Sequence, residues 1–343
     1  MTPMSAKPLA LLTRTGGRNS VGGRANRSRS VTNRTLRAWV GPAAAAATLT
    51  VVVWRVGVGP FLDGVRAVDG AALAAAAGIG VLTTMCCAWR WMIVARGLSL
   101  PLSFPAAVAA YYRSVFLNLT LPGGVAGDVH RGVSHGRDVR DVGRALRAVA
   151  WERFAGRVVE AGIIVAVLVA LPSPVRSSIP LVAALVAALI AVVLVGRARP
   201  GDGQSRWARL RRAIGDDVRN ALLARRAWPA VALASVVVVS GHAVTFVIAA
   251  RTAGATAPLS QMLPLALLAM LAMVLPSVAG WGPREGATAW AFAAAGLGAA
   301  QGVATAVVYG VMVLVASLPG ALVLMSAWVP RAAVAQPDRA ADA

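Results

Sequence analysis

Lysine is all but missing from this 343-residue chain: Lys7 stands alone, although lysine and arginine together number 34. A phosphate-binding loop of the Walker type needs its own lysine on the phosphates, so nucleotide-driven chemistry of that kind is excluded. A Schiff-base lysine in the body of the chain is excluded with it. Cysteine is equally scarce. Cys86 and Cys87 are the two present, and they are adjacent. Neighbouring helical positions point about 100° apart, which rules out both a disulfide framework and a metal clamp built from this pair. Of the three histidines, His130 and His135 stand near Asp128, at a spacing that fits no metal-ligand pattern. No cofactor is expected. Charge as a whole is thin at 14%, against about 25% in soluble domains.

What fills the space is apolar. Hydrophobic residues make up 58% of the chain and the mean hydropathy is +0.69. Segments 71–79, 162–171, 181–195, 231–250 and 303–327 are close to charge-free. A helix crossing a ~30 Å hydrocarbon core needs ~20 mostly apolar residues, and several of these blocks reach that length with their flanks. The fold class expected is an all-α polytopic transmembrane helical bundle. The net charge of +21 then reads as topology. It is concentrated in 1–37, 131–147 and 197–226, between apolar spans, as the positive-inside rule produces. Nucleic acid is not an expected partner.

Residues 1–37 carry eight basic side chains and no acid, and read as a disordered cytoplasmic arm or an unimportant tail. Residues 329–343 read as a disordered tail. Between them, 38–328 form one membrane domain. Spans are expected at 38–56 and 71–94, with 57–70 as an outside loop. The apolar segment 104–121 is interrupted by Arg113 and ends in Pro122-Gly123-Gly124. Both of its flanks belong inside, so it reads as a re-entrant hairpin or broken helix, which survives at depth only when buried in protein or lining a wet cavity. Further spans are expected at 148–171, 179–196, 229–250 and 303–328, and a second broken segment at 259–286 around Pro276. Within 197–226, Trp207, Leu210, Ile214, Val218 and Leu222 recur at helical spacing. They suit either an interfacial helix or a helix packed on the membrane domain. The layout gives two halves, about 38–171 and 179–328, each with an odd number of crossings. Halves of that kind point opposite ways, an inverted repeat with two Pro/Gly-broken re-entrant segments.

The broken segments carry the chemistry. LNLTLPGGVAGDVHRG (117–132) and LAMVLPSVAGWGPREG (271–286) share a Leu-Pro step, glycines and a following arginine. Together with AVAWERFAGRVVE (148–160), they resemble the ordered signatures of the lysylphosphatidylglycerol synthase transmembrane-region family, also called flippase-like. The resemblance covers about 38–328. It implies a membrane part associated with lipid translocation. It carries no soluble aminoacyl-transferase segment, so the synthase activity is not implied.

The candidate head-group site comprises Asn118, Pro122, Gly123, Gly124, Gly127, Asp128 and Arg131 of the first break. Glycines there let backbone N–H groups approach an anion, and arginine grips phosphate bidentately. The competing reading is an interfacial turn with Asp128 as N-cap and Arg131 snorkelling. Glu152, Arg153, Arg157 and Glu160 join the set because Glu160 stands ~18 Å along its helix from residue 148, where ionisable groups are costly. A self-neutralising Arg157–Glu160 pair is the alternative there. Gly280, Gly282, Arg284, Glu285 and Gly286 complete the set at the second break. Binding and translocation of an anionic or phosphate-bearing lipid is the function expected. A membrane-embedded enzyme acting on a lipid-linked substrate and a non-transporting scaffold for envelope-biosynthesis proteins are the alternatives.

The plasma membrane, with both termini cytoplasmic, is the expected location. Topology is directly measurable on a background lacking Cys86 and Cys87. A cysteine placed within 175–178 should react from outside intact cells, and one within 200–206 only after permeabilisation. Labelling of both from the same side overturns the arrangement.

Overall fold

A computed structural model describes residues 57–171, 206–222 and 227–328, with scattered residues in 47–55, 180–191 and at 224. The arm 1–37, most of the first expected span, the loop 172–178, most of 179–196, the segment 197–205 and the tail 329–343 lie outside the described residues. Among the described residues the chain is helical, with no strand. The helices are α1 (Gly59–Ala67), α2 (Gly70–Gly97), α3 (Phe104–Thr120), α4 (Ala126–Asp138), α5 (Val142–Ala170), α6 (Arg206–Asp217), α7 (Ala227–Thr252), α8 (Leu259–Ala272), α9 (Pro283–Ala294), α10 (Ala299–Ser317) and α11 (Pro319–Trp328). A short π-helical turn, Val218–Leu222, extends α6.

Local chemistry marks the helix starts. The Asp69 carboxylate accepts from the Ala72 N–H at 2.6 Å to open α2. Asp141 does the same for Arg144 N–H at 2.9 Å to open α5. At α9, Pro283 occupies the first turn and Glu285 reaches back to accept from Gly282 N–H at 2.6 Å. Such caps satisfy the orphan donors of a first turn. Among the described residues, three helical stretches are long and apolar enough to cross a membrane: Gly70–Gly97, Ala227–Thr252 and Ala299–Ser326, the last formed by α10 with most of α11. The 29-residue α5 is as long but carries the ionisable residues of the central cluster.

Helices α2, α7 and α10 pack against one another. Around them the two broken segments become helical hairpins, α3–α4 and α8–α9. Small residues permit the contacts. A Cβ at Gly241 would stand 2.5 Å from Thr83 of α2, and one at Gly80 would stand 2.6 Å from Ala316 of α10. Close backbone approach through small residues is how helices associate where lipid offers no hydrophobic driving force.

Two details depart from the sequence reading. The stretch 57–70 is not simply a loop, because it folds α1 onto α10, with Gly64 against the Ala304 carbonyl. The span expected at 303–328 is divided at Leu318, beyond which α11 packs on α3. The first broken segment is a hairpin of two helices meeting at 121–125, one of its two expected forms. Of the two readings for 206–222, packing on the membrane domain describes its C-terminal end. Val218, Ala221 and Leu222 are buried, and a Cβ at Gly97 would collide with Ala221. Asp217 accepts from Arg147 Nε at 2.7 Å and Trp151 Nε1 at 3.0 Å. The side chains of Trp207 and Leu210 lie outside the described residues.

The tightest joint is inside the first hairpin. A Cβ at Gly127 would lie 1.9 Å from the Ser114 carbonyl oxygen, with no flexible side chain to yield. Gly127→Ala should therefore cost at least the ~1–3 kcal/mol typical of overpacking, read as a lower unfolding temperature in detergent. Gly162→Ala on α5 meets open space and should leave that temperature unchanged or raise it.

Candidate functional site

The two breaks meet. Gly123 N–H, in a backbone with φ 99°, donates to the Ser277 carbonyl at 2.7 Å. Gly124 faces the Ser277 side chain, and Gly280 faces Leu119. The first break is braced by its own side chains: Asn118 Oδ1 accepts from Gly127 N–H at 2.7 Å while its Nδ2 donates to Asp128 Oδ2 at 3.2 Å. Beside this junction lies a cavity of about 580 Å³, walled by α2, α3, α5, α7 and α10 and by both breaks. Four arginines, Arg90, Arg153, Arg157 and Arg284, and two carboxylates, Asp128 and Glu160, line it.

Behind the first break runs a connected ion network. Glu152, fully buried, accepts from Arg90 Nε at 2.9 Å and from Arg131 Nη2 at 2.7 Å. Asp128 accepts from Arg131 Nε at 3.0 Å, Arg153 Nη2 at 2.7 Å and Ser114 Oγ at 3.1 Å. Arg90 also donates to Ser235 Oγ of α7 at 2.9 Å, and its guanidinium lies over Gly156, where any side chain would displace it. The Arg131 guanidinium is held between two rings, 4.7 Å from the Trp91 centroid and 4.5 Å from that of Tyr111. Three guanidinium groups thus share two carboxylates. The surplus positive charge falls at the rim, on Arg153, whose side chain is 34% exposed and whose Nε has no hydrogen-bond partner.

The second break builds a smaller counterpart. Arg284 Nε donates to Glu285 Oε1 at 2.8 Å. Its guanidinium lies 5.4 Å from the ring centroids of both Trp281 and Tyr309, and packs on Gly310. The Tyr309 hydroxyl pairs with His242 Nδ1 at 3.0 Å. Each break therefore supplies an arginine held by a carboxylate, aromatic faces and, in the network of each, a glycine.

Comparison with family models gives a match over residues 38–320, to the lysylphosphatidylglycerol synthase TM region. The chain belongs to this family. No curated protein matches it. The match spans both breaks and the connecting charged helix, so the features just described lie inside the region that defines the lysylphosphatidylglycerol synthase transmembrane family.

Against that geometry the sequence candidates divide. Asn118, Gly123, Gly124, Asp128, Arg153, Arg157, Glu160, Gly280 and Arg284 line the cavity. Pro122 is exposed at the turn, and Gly127 is sealed against α3. Arg131 and Glu152 are wholly buried and do not line the cavity, so Arg131 does not snorkel. Gly282, Glu285 and Gly286 form the first turn of α9 rather than cavity wall. Asp128 is not an N-cap: Val125 occupies that position, and the carboxylate serves the arginines instead. Sequence reasoning missed Arg90, which reads as a span-end anchor in α2 but is 4% exposed and paired across the bundle. It also missed Tyr111, Trp91, Trp281 and Tyr309, for which no spacing signal exists.

Glu152 carries the network. Glu152→Gln removes one partner from two buried arginines, a change that typically costs ~3–5 kcal/mol. The variant should show a marked loss of thermal stability in detergent, whereas Arg144→Gln, at an exposed pair with Asp141, should have little effect.

Proposed function

We propose that this protein binds the head group of an anionic or phosphate-bearing lipid in the central cavity and carries it across the plasma membrane, with both termini cytoplasmic. The observation that supports this most directly is the charge imbalance at the cavity rim: Arg90, Arg131 and Arg153 against Asp128 and Glu152. An uncompensated cation at membrane depth is costly, and an anionic ligand on Arg153 removes the imbalance. Its planar, partly exposed guanidinium suits a phosphate oxygen pair. Arg157, also 34% exposed, lies one helical turn further on. Around these groups the wall turns apolar through Leu119, Val125, Val274 and Leu275. A polar head group and its hydrocarbon tails thus have separate surroundings in one passage. Membership of a family named for a phospholipid synthase's membrane region agrees with a lipid ligand.

Arg284, a strong sequence candidate, is 2% exposed and held by Glu285 and two rings. Its role in this reading is to hold the second break, and Arg153 and Arg157 take the contact with the ligand.

Native mass spectrometry of the purified protein should show bound anionic phospholipid in preference to phosphatidylcholine. Arg153→Gln should reduce that occupancy several-fold while the protein stays folded. Equal occupancy by phosphatidylcholine, or undiminished anionic lipid on the Arg153 variant, sinks the assignment. Incubation with lipid-linked substrates should yield no covalent product, and turnover that depends on Asp128 or Glu285 would favour an enzyme instead.

A further inference from the structure

One carboxylate in the cavity is left half-used. Glu160 is 4% exposed; one of its oxygens accepts from Arg157 Nη1, while the other, Oε1, is buried with no hydrogen-bond partner. Its partner, Arg157, is one of the two partly exposed cavity arginines, so the same guanidinium is claimed by Glu160 and available to a ligand. An anion arriving on Arg157 would face the Glu160 carboxylate at contact distance. Two like charges sharing one site in a poorly solvated setting cannot both remain ionised without a large penalty.

We infer that Glu160 takes up a proton when the anionic head group binds, so that proton and lipid occupy the cavity together. The exchange balances. A proton taken up from the bulk solution adds to a Glu160 carboxylate oxygen, the Arg157–Glu160 ion pair breaks, and Arg157 forms a new pair with a phosphate oxygen. One positive and one negative charge enter, so binding is electroneutral. The protonated acid gains a donor. By linkage, the proton favours the lipid as much as the lipid favours the proton. A protonmotive force is then the supply of energy for a chain whose sequence rules out a Walker-type site. The inference deepens the lipid-binding reading and rests on it.

The groups around Glu160 single it out. On its own helix stand Arg153 and Arg157. From α2, Arg90 is within electrostatic reach, and from α10, Tyr309. Helix α9 brings Arg284, held by Glu285. Helix α8 contributes no titratable side chain, and Asp128 and Arg131 of α4 are committed to the Glu152 network. His242 of α7 also lines the cavity, and its Nδ1 is engaged by Tyr309.

The test uses the full chain in phosphatidylcholine nanodiscs with spin-labelled phosphatidylglycerol, and spin-labelled phosphatidylcholine as reference. Preference for phosphatidylglycerol should rise several-fold between about pH 8 and about pH 5.5, within the limit of about tenfold per pH unit for one linked proton. Glu160→Gln, which mimics the protonated acid, should keep the low-pH preference at both values. His242→Gln should retain the wild-type dependence. As a check that needs no variant, adding phosphatidylglycerol to wild-type protein in weakly buffered medium should consume protons. A flat wild-type profile, an unaltered dependence in Glu160→Gln, or its loss in His242→Gln overturns the inference while leaving lipid binding intact. No preference at any pH overturns the lipid reading and this inference with it. Full displacement by sn-glycerol 3-phosphate leaves the proton linkage but assigns the anion to a free phosphate ester.

Discussion

A guanidinium group inside an apolar layer must be met by protein or by a ligand, and much of this molecule follows from that constraint. Arg90, Arg131, Arg153, Arg157 and Arg284 come from four helices, and each reaches a carboxylate. Meeting that demand ties α2 to α5, α5 to α4, and α4 back to α2 through Trp91. The polar network thus connects helices that share no hydrophobic drive to associate within lipid. The rings over Arg131 and Arg284 add attraction that needs no further carboxylate. Glycines at 156 and 310 provide the clearance for flat guanidinium groups to lie against a helix.

The two breaks solve one problem with different parts. At the first, Asn118 folds back on Gly127 and the arginine network lies mainly on α4 and α5. At the second, the arginine and its carboxylate are neighbours on α9, and a tight Val278–Trp281 bridge closes the turn. Gly282, with φ 115°, is held in a conformation that other residues rarely adopt. Similar outcomes from dissimilar local sequence explain why the likeness of the two segments is limited to a Leu-Pro step, glycines and an arginine.

Much of this was legible in the sequence, and the parts that were not share a cause. Helical class, the positions of both breaks and the ionisable face of α5 follow from period and composition, which are local. Glu160 was identifiable as costly at its depth, and Asp128 as part of the charged turn at the first break. Their partners were a different matter: the pairing of Asp128 with Arg153 and of Glu152 with Arg90 crosses between helices, and nothing in either segment specifies the other. Arg90 looked like an ordinary cytoplasmic flank because it stands with Arg96 at the end of the expected span. The burial of Arg131 between Trp91 and Tyr111 could not be read locally, because it depends on how α2, α3 and α4 converge. The helix α1 was missed because its nine residues are too few to declare themselves without α10 to lie on.

The hydrogen bond between Gly123 and Ser277 closes a seam between two pieces of irregular backbone. A seam of this kind has an unusual property in a membrane. If it parts in a dry environment, one amide donor and one carbonyl acceptor are stranded, at roughly 1–3 kcal/mol apiece. If it parts in the presence of water or of a polar group with oxygens to offer, both find new partners and the penalty largely disappears. The joint is therefore a latch sensitive to what stands beside it, closed against hydrocarbon and yielding to something polar. Because one half of the seam belongs to each hairpin, neither can withdraw from it without the other registering the change.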